Sequence, residues 1–328
     1  MKHHIHHFLL TFVILSVPVF GQQWISRYNS SGIALDEAAS MTTKNSRVYI
    51  SGSSFSPAGG WDIVTLCLDR AGNTLWEDRQ ATPMDEKAVS VVSDGAGNTY
   101  VLGRVWGSNN LWQLLLLAYD NEGNVQLTKT FNTGALSSDM PIGLGLMTNG
   151  NLAVAAEAHA LDGSVSSIVM VVSSDGTVVW TDSYSGAGDA YPRSLSAGSV
   201  IAVTGTTRGG ATADGFIVMY QNDGTRIAAR TYDGGLNADE TFSSSVLDSQ
   251  GRLHAAGWAA MSPTSSQVLL AEYESDGSFV SDYTYTPGTD GRHRAAAVGV
   301  DGSDNVLLTA RIDAGGGDFN MMTTRRGS

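Results

Sequence analysis

Thr99-Tyr100-Val101-Leu102-Gly103 recurs, with changes, six times along this chain. Its counterparts are Val48 to Gly52 (VYISG), Leu152 to Ala156 (LAVAA), Ile201 to Gly205 (IAVTG), Leu253 to Gly257 (LHAAG) and Val306 to Ala310 (VLLTA). Each is a short apolar run ending in a small residue, the pattern of a strand. Two further markers keep the same interval of about 51 residues, the span of a supersecondary repeat. One is an Asp that opens a strand: Asp36, Asp85, Asp139, Asp189, Asp239 and Asp290. The other is a turn glycine: Gly72, Gly123, Gly176, Gly224, Gly277 and Gly327.

Each unit holds four strand candidates. The first follows the Asp, as in Ala88-Val89-Ser90-Val91-Val92, and the second is the run quoted above. The third is WDIVTLCLD (Trp61 to Asp69) in the first unit and DGFIVMYQ (Asp214 to Gln221) in the fourth. The fourth follows the turn glycine, as in TLWEDRQ (Thr74 to Gln80) and TVVWTDSY (Thr177 to Tyr184). Connectors such as Asp69 to Asn73 and Asn222-Asp223-Gly224 carry tight-hairpin chemistry. Helical periodicity is absent after the N-terminus. Four strands repeated six times give an all-β chain, a six-bladed β-propeller of four-stranded antiparallel blades. A β-helix would repeat at about 20 residues, and separate sheets of about 50 residues could not bury enough surface.

The sixth unit reaches Gly327 just after its third strand. In the earlier units the turn glycine is followed four residues later by Trp76, Leu127, Trp180, Ala228 or Ser281. Eight residues after it come Gln80, Phe131, Tyr184, Tyr232 or Tyr285. Joining Ser328 to Gln22 would place Trp24 and Tyr28 at those two positions. The last blade is therefore expected to be closed by the N-terminal strand, which removes a sheet edge. Residues 22–328 then form one propeller. Its blades are approximately 30–80, 81–131, 132–184, 185–232, 233–285, and 286–328 plus 22–29.

Residues 1–21 have the order of a secretory signal peptide: Lys2 with a His cluster, the apolar run Phe8 to Val17, then Val19 and Gly21 at a small-residue cleavage site. That run is too short to span a bilayer, and no later segment is apolar enough. The expected location is secreted, periplasmic or extracellular, with no membrane insertion after signal removal. The formal net charge of -13 argues against nucleic-acid partners. One Cys excludes an intrachain disulfide and a Cys-based metal cluster. Cys67 lies in Ile63 to Leu68 and reads as a buried packing residue.

The unit resembles a bacterial secreted β-propeller repeat family of unassigned function. The pieces that carry the resemblance are Trp24-Ile25-Ser26-Arg27-Tyr28-Asn29, Asp36-Glu37-Ala38, Gly97-Asn98-Thr99-Tyr100-Val101-Leu102-Gly103, and Trp61-Asp62 through Trp76. The resemblance covers everything after the signal. It weakens where LAVAA replaces the glycine ending and where the fourth and fifth units lack the Trp. It implies an exported propeller and says almost nothing about activity.

In a propeller the loops from strand two to strand three share one face with those from strand four to the next strand one, and that face usually binds. Trp61, Trp106, Trp112 and Trp258 fall in or beside the first set of loops, and His159 lies in a further loop of the same set. These five are the candidate ligand-binding residues. Each Trp has two roles open to it, a stacking platform or a plug between blades. Trp24, Trp76 and Trp180 share one repeat position and read as packing residues. No Gly-x-Ser-x-Gly elbow, local metal motif or calcium loop occurs. The six Asp are expected around one channel mouth, where they would either accept backbone N–H bonds or hold a divalent cation. Calcium is the one cofactor this admits. The expectation is a monomeric, non-catalytic binding or scaffold module for an extracellular polysaccharide or protein. The alternative is a channel-mouth enzyme, either a calcium-dependent hydrolase such as a lactonase or a quinone-dependent oxidoreductase.

Overall fold

The computed structural model describes residues 24, 25, 27–29, 35–57, 59–134, 137–234, 238–286, 291–315 and 318–327, with the backbone alone at 314, 315, 318 and 319. The expected signal peptide, the junction of Ser328 with Gln22 and Gln23, and Asp290 lie outside the described residues. The described regular elements are 23 strands in six antiparallel sheets. Sheet one is β1 (Asp36–Lys44), β2 (Arg47–Ser56), β3 (Gly60–Leu68) and β4 (Thr74–Gln80). Sheet two is β5 (Glu86–Ser93), β6 (Thr99–Trp106), β7 (Trp112–Tyr119) and β8 (Val125–Phe131). Sheet three is β9 (Ser138–Leu146), β10 (Leu152–His159), β11 (Val165–Val172) and β12 (Val178–Tyr184). Sheet four is β13 (Asp189–Ala197), β14 (Val200–Arg208), β15 (Ala213–Gln221) and β16 (Arg226–Tyr232). Sheet five is β17 (Glu240–Leu247), β18 (Leu253–Ser262), β19 (Ser265–Tyr273) and β20 (Phe279–Tyr285). Sheet six has three strands, β21 (Arg294–Val300), β22 (Val306–Gly315) and β23 (Asp318–Arg326).

Within each sheet the strands pair in chain order, so every connection is a hairpin. The Asp-x-x-Gly-Asn turns follow from local chemistry. Asp69 Oδ1 accepts the Ala71 and Asn73 backbone N–H groups, and Gly72 (φ 86°) takes the left-handed step. Asp94 and Asp120 make the same turn, and Asp301 makes it with Asp304 (φ 60°) in place of the glycine.

The small residue that ends each repeated run faces an irregularity in the first strand. The β1–β2 register shifts between Ala38 and Ser40, opposite Gly52, and the equivalent shift recurs in all six sheets. The bulge brings a first-strand carbonyl onto the second strand. A Cβ on Gly257 would lie 1.7 Å from the Thr241 carbonyl oxygen. Ala156 and Ala310 take that place in sheets three and six.

The apolar core is a set of layers, one between each consecutive pair of sheets. Tyr49, Ile63 and Cys67 pack on Val91, Val101, Leu115 and Tyr119. Tyr100, Leu102, Leu114 and Leu116 pack on Leu144, Val154 and Ile168. Similar layers join sheets three and four, four and five, and five and six. Strands such as β15, with Gly215 to Tyr220 all buried, therefore read as continuous apolar runs. The outer strands alternate instead. Trp76 of β4 leaves its own sheet to stack on Tyr119 at 5.5 Å and to cover Gly123 of sheet two.

The N-terminal segment continues that rule. Trp24 covers Gly72, and its indole N–H donates to the Arg70 carbonyl at 3.0 Å. Trp180 covers Gly224 and donates to the equivalent Asn222 carbonyl at 3.1 Å. Trp24 thus sits where the outer strand of a sheet preceding sheet one would place it. Among the described residues, however, 24–29 carry no strand pairing, and β21 and β1 lack the packing that joins the other neighbouring inner strands. Met41 is 65% exposed where its equivalents Val91 and Leu144 are 3% and 7% exposed. Met321 is 84% exposed where Ile63 and Leu114 are fully buried.

Gly123 and Gly150 both have positive φ (86° and 84°), but a Cβ on Gly123 would lie 2.6 Å from the Trp76 indole, whereas one on Gly150 meets nothing within 4 Å. Gly150→Ala should cost about 1 kcal/mol from backbone strain alone. Gly123→Ala should cost about 1–3 kcal/mol more, because the clash adds to the strain. Urea unfolding of the two variants checks this, and equal losses would contradict the inter-sheet role of Trp76.

Candidate functional site

The face expected to bind carries less loop than its sequence suggests. β18 runs through Trp258 to Ser262, and β19 begins at Ser265. The stretch expected as a loop is the tip of a paired hairpin, because Trp258 pairs with Val268 and Ala259 with Gln267. Trp61 is likewise the second residue of β3, and Trp106 and Trp112 pair with each other at the ends of β6 and β7. The four Trp are strand residues at the rim, not loop residues.

Three of the four carry a cation on the ring. Lys87 Nζ lies 2.9 Å from the Trp61 ring centroid, Arg104 lies 4.3 Å from Trp112, and Arg294 lies 4.8 Å from Trp258. Trp106 packs edge-on against Trp112 at 5.1 Å. His159 Nε2 stands 2.8 Å from Glu157 Oε2, and the other oxygen of Glu157 takes Arg193 Nη1 at 3.0 Å. These candidates lie on sheets one, two, three and five, so the structure joins only the Trp106–Trp112 pair directly.

The repeated Asp divide between two adjacent positions. Asp85, Asp189 and Asp239 each accept a backbone N–H at 2.9 Å from the start of the preceding sheet's third strand, at Trp61, Val165 and Ala213. Ser138 Oγ takes that role towards Trp112. Asp36 and Asp139 belong one residue further on, with Glu86, Ala190, Glu240 and His293. There Glu86, Asp139, Glu240 and His293 are buried. The single ring of like Asp is thus two positions, an exposed latch and a buried one. Among the described residues no three His, Cys, Asp or Glu side chains gather closely enough to hold a metal ion.

The buried acids are held unequally. Asp139 accepts from Thr133 N–H at 2.9 Å and from the Thr133 and Ser137 hydroxyls at 2.5 and 3.0 Å. Burial still raises its pKa above the usual carboxylate range. Glu86 takes the Thr82 hydroxyl on one oxygen and leaves the other without a hydrogen bond. Burial pushes it up to about 7 against the Thr82 contact, with Asp62 and Asp85 adding repulsion. Glu240 has neither oxygen in a well-formed hydrogen bond. Burial also pushes it up to about 7, opposed by the Gly234 amide and helped by Asp233, Asp214 and Asp239.

The residues that differ most between sheets stand directly after the repeated small residue. They are Ser53, Arg104, Glu157, Thr206, Trp258 and Arg311. Five of them meet the next sheet's first strand, each with different chemistry. Ser53 Oγ accepts the Ala88 N–H, Arg104 reaches the Met140 sulfur, and Glu157 pairs with Arg193. Thr206 donates to Thr241 at 2.9 Å, and Trp258 lies under Arg294. This position was legible in the sequence, since a small residue, Gly or Ala, precedes it in every repeat. Only Trp258 of the six was among the expected ligand-binding residues.

At Trp258 the rim opens into a cavity of about 560 Å³ between sheets four, five and six. Its wall joins Trp258 and Arg294 to Arg292, Thr212, Ser262 and Ser265. An aromatic ring, guanidinium donors and hydroxyls side by side can bind a ring-shaped polar ligand by stacking and hydrogen bonding.

No family model matches the chain, and no curated protein matches its sequence. Among solved structures the fold is similar to Hadza microbial sialidase Hz136, with a TM-score of 0.52 and 11% identity over 88% of this chain and 65% of that one. This likeness shows the fold, an all-β, propeller-like arrangement of four-stranded antiparallel sheets. The chain spans about 65% of the length of that relative. A Trypanosoma rangeli sialidase with the inhibitor DANA matches at a TM-score of 0.46 and 9% identity, over 89% of this chain and 55% of that one. A PL25 ulvan lyase, a polysaccharide lyase bound to its sugar, matches at 0.46 and 13% identity, over 88% and 83%.

The buried Glu86 and Glu240 make stability pH-dependent in a defined direction. Their folded pKa of about 7 lies above the reference value of 4.5 expected of the unfolded chain. Between those values the folded state holds the extra protons. Their stabilisation is complete below about pH 4.5 and is lost as pH rises through about 7. Each should contribute on the order of 1–3 kcal/mol. The melting temperature should therefore fall between pH 5.5 and 8.5, and Glu86→Gln with Glu240→Gln should flatten that slope. An unchanged slope in the double variant would show that neither carboxyl is protonated in the folded state.

Proposed function

We propose that this protein is an exported, non-catalytic propeller whose rim binds an extracellular polysaccharide. The observation that carries the reading is the cavity at Trp258, where an aromatic face, two arginines and hydroxyls meet. Sugar rings offer an apolar face and a rim of hydroxyls, and this wall matches both. Ser53, Arg104, Glu157 and Thr206 are already engaged by the next sheet, as Glu157 is by Arg193 and Thr206 by Thr241. The signal-like residues 1–21 support export. Affinity electrophoresis through gels cast with neutral and charged polysaccharides tests the reading. At least one should retard the protein, and Trp258→Ala should weaken that retardation about tenfold with the fold intact. Retardation by none of them would remove the proposal.

We also propose that sheets six and one close a six-bladed ring, with 22–29 as the outer strand of the last blade. Trp24 supports this reading, since it packs on Gly72 and donates to the Arg70 carbonyl as Trp180 does with Gly224 and Asn222. Closure would cover Met41 and Met321, the exposed apolar residues of the two free faces. It would also bring Arg311 to Glu37, as Trp258 meets Arg294 between sheets five and six and Arg104 meets Met140 between sheets two and three. Trp24→Ala should destabilise by about 2–4 kcal/mol. Arg311→Glu should destabilise on its own and be restored by Glu37→Arg. Non-additivity of that pair is the signature of contact, and additive effects would place the two residues apart.

A further inference from the structure

We propose that the polysaccharide held at the Trp258 cavity is anionic, a chain bearing carboxylate or sulfate groups, and that Arg294 with Arg292 receives the charge. The inference rests on the binding reading above and adds the chemistry of the ligand.

Arg294 is held on an aromatic ring without a carboxylate, as Arg208 is on Tyr191 and Arg104 on Trp112. Arg79, Arg193, Arg226, Arg252, Arg325 and Arg326 each meet a carboxylate within 3.0 Å. Arg294 has no ion pair or hydrogen bond among the described residues, only the Trp258 ring. Burial lowers its pKa, and Arg292 and Arg311 lower it further by repulsion. Cations crowd here in a protein whose formal net charge is -13. The carboxylates nearby are partly engaged. Asp239 Oδ1 accepts the Ala213 N–H at 2.9 Å, and Asp313 Oδ2 takes the Arg292 backbone N–H at 3.4 Å. Arg292 Nη2 reaches the Pro263 carbonyl at 3.4 Å, a contact that leaves its remaining donors directed elsewhere.

This arrangement suits one ligand chemistry. A planar guanidinium stacked on an indole keeps its edge donors free, and that edge matches the two oxygens of a carboxylate or sulfate. Thr212, Ser262 and Ser265 supply the hydroxyl partners a sugar needs beside its charged group. A neutral glycan would leave the arginine repulsion unrelieved.

The test is calorimetry and affinity electrophoresis of the full chain with oligogalacturonate, a sulfated galactan, an unsulfated galactan and poly-glutamate. An anionic glycan should bind at least tenfold more tightly than the unsulfated galactan and weaken steeply with salt. Carboxylate and sulfate preferences are separated by the first two probes. Arg294→Ala should abolish the tenfold preference and leave the melting temperature unchanged. Arg294→Lys should retain part of it. Trp258→Ala should weaken both charged and neutral glycans. If unsulfated galactan binds as tightly as the charged ones, or Arg294→Ala keeps the preference, the anionic inference falls and the binding reading stands. If no polysaccharide binds, the binding reading itself falls. Equal binding of poly-glutamate would mean that the cavity takes negative charge of any origin and would overturn the glycan assignment.

Discussion

The architecture depends on how closely the first strand of each sheet can lie against the second strand beside it. A bulge in that strand turns a backbone carbonyl towards the second strand, and the approach leaves little room for a side chain. The apolar layers then form from residues that alternate along both sheets. Outer-strand aromatics lock the far ends, as Trp76 does over Gly123 and Trp180 over Gly224. Each sheet thereby depends on a neighbour for its stability, which is why about 50 residues of sheet need not hold together alone.

Most of this was legible in the sequence because the constraint acts on composition. Only small residues fit beside the bulge, so Gly or Ala recurs there. Only a residue tolerant of positive φ fits the Asp-x-x-Gly-Asn turn, so glycine recurs there as well. The strands fall where the repeated runs placed them. The fourth strand of sheet six was expected from 22–29, and in the described part of that segment Trp24 packs on Gly72 of sheet one without a strand partner. Sequence spacing reports where a segment belongs in the repeat. Pairing depends in addition on residues at the junction, which lie outside the described set.

The candidate site was less legible for two physical reasons. The Asp were grouped by residue type at intervals of about 51 residues, yet loops of unequal length shift the register by one. That single step separates exposed Asp85 and Asp239 from buried Asp139, Glu86 and Glu240. The connections between strands two and three were also expected to be longer than they are. Ser, Thr and Ala at the tip of β18 and β19 look like a loop in sequence, but backbone pairing continues through them. The Trp residues expected in or beside the loops lie on the strands that flank them. Arg294 gave no signal of its own, because its place on the Trp258 ring in the cavity wall is a property of three-dimensional neighbours.

A repeat separates the work of its positions. Those that recur satisfy the backbone and the layers between sheets, and a substitution there is felt by two sheets at once. The position after the small residue escapes that requirement. Its side chain meets the neighbouring first strand at the rim, where Ser53, Arg104, Glu157, Thr206 and Trp258 all find acceptable but different partners. Tolerance at one position in every repeat supplies several chemically distinct groups on one rigid face. The contrast within the rim is electrostatic. Between sheets three and four, Glu157 neutralises Arg193 and draws His159 close. Between sheets five and six, the corresponding contact is an indole under Arg294, which supports a cation without neutralising it. The first arrangement is complete within the protein, whereas the second retains charge and donors for another molecule.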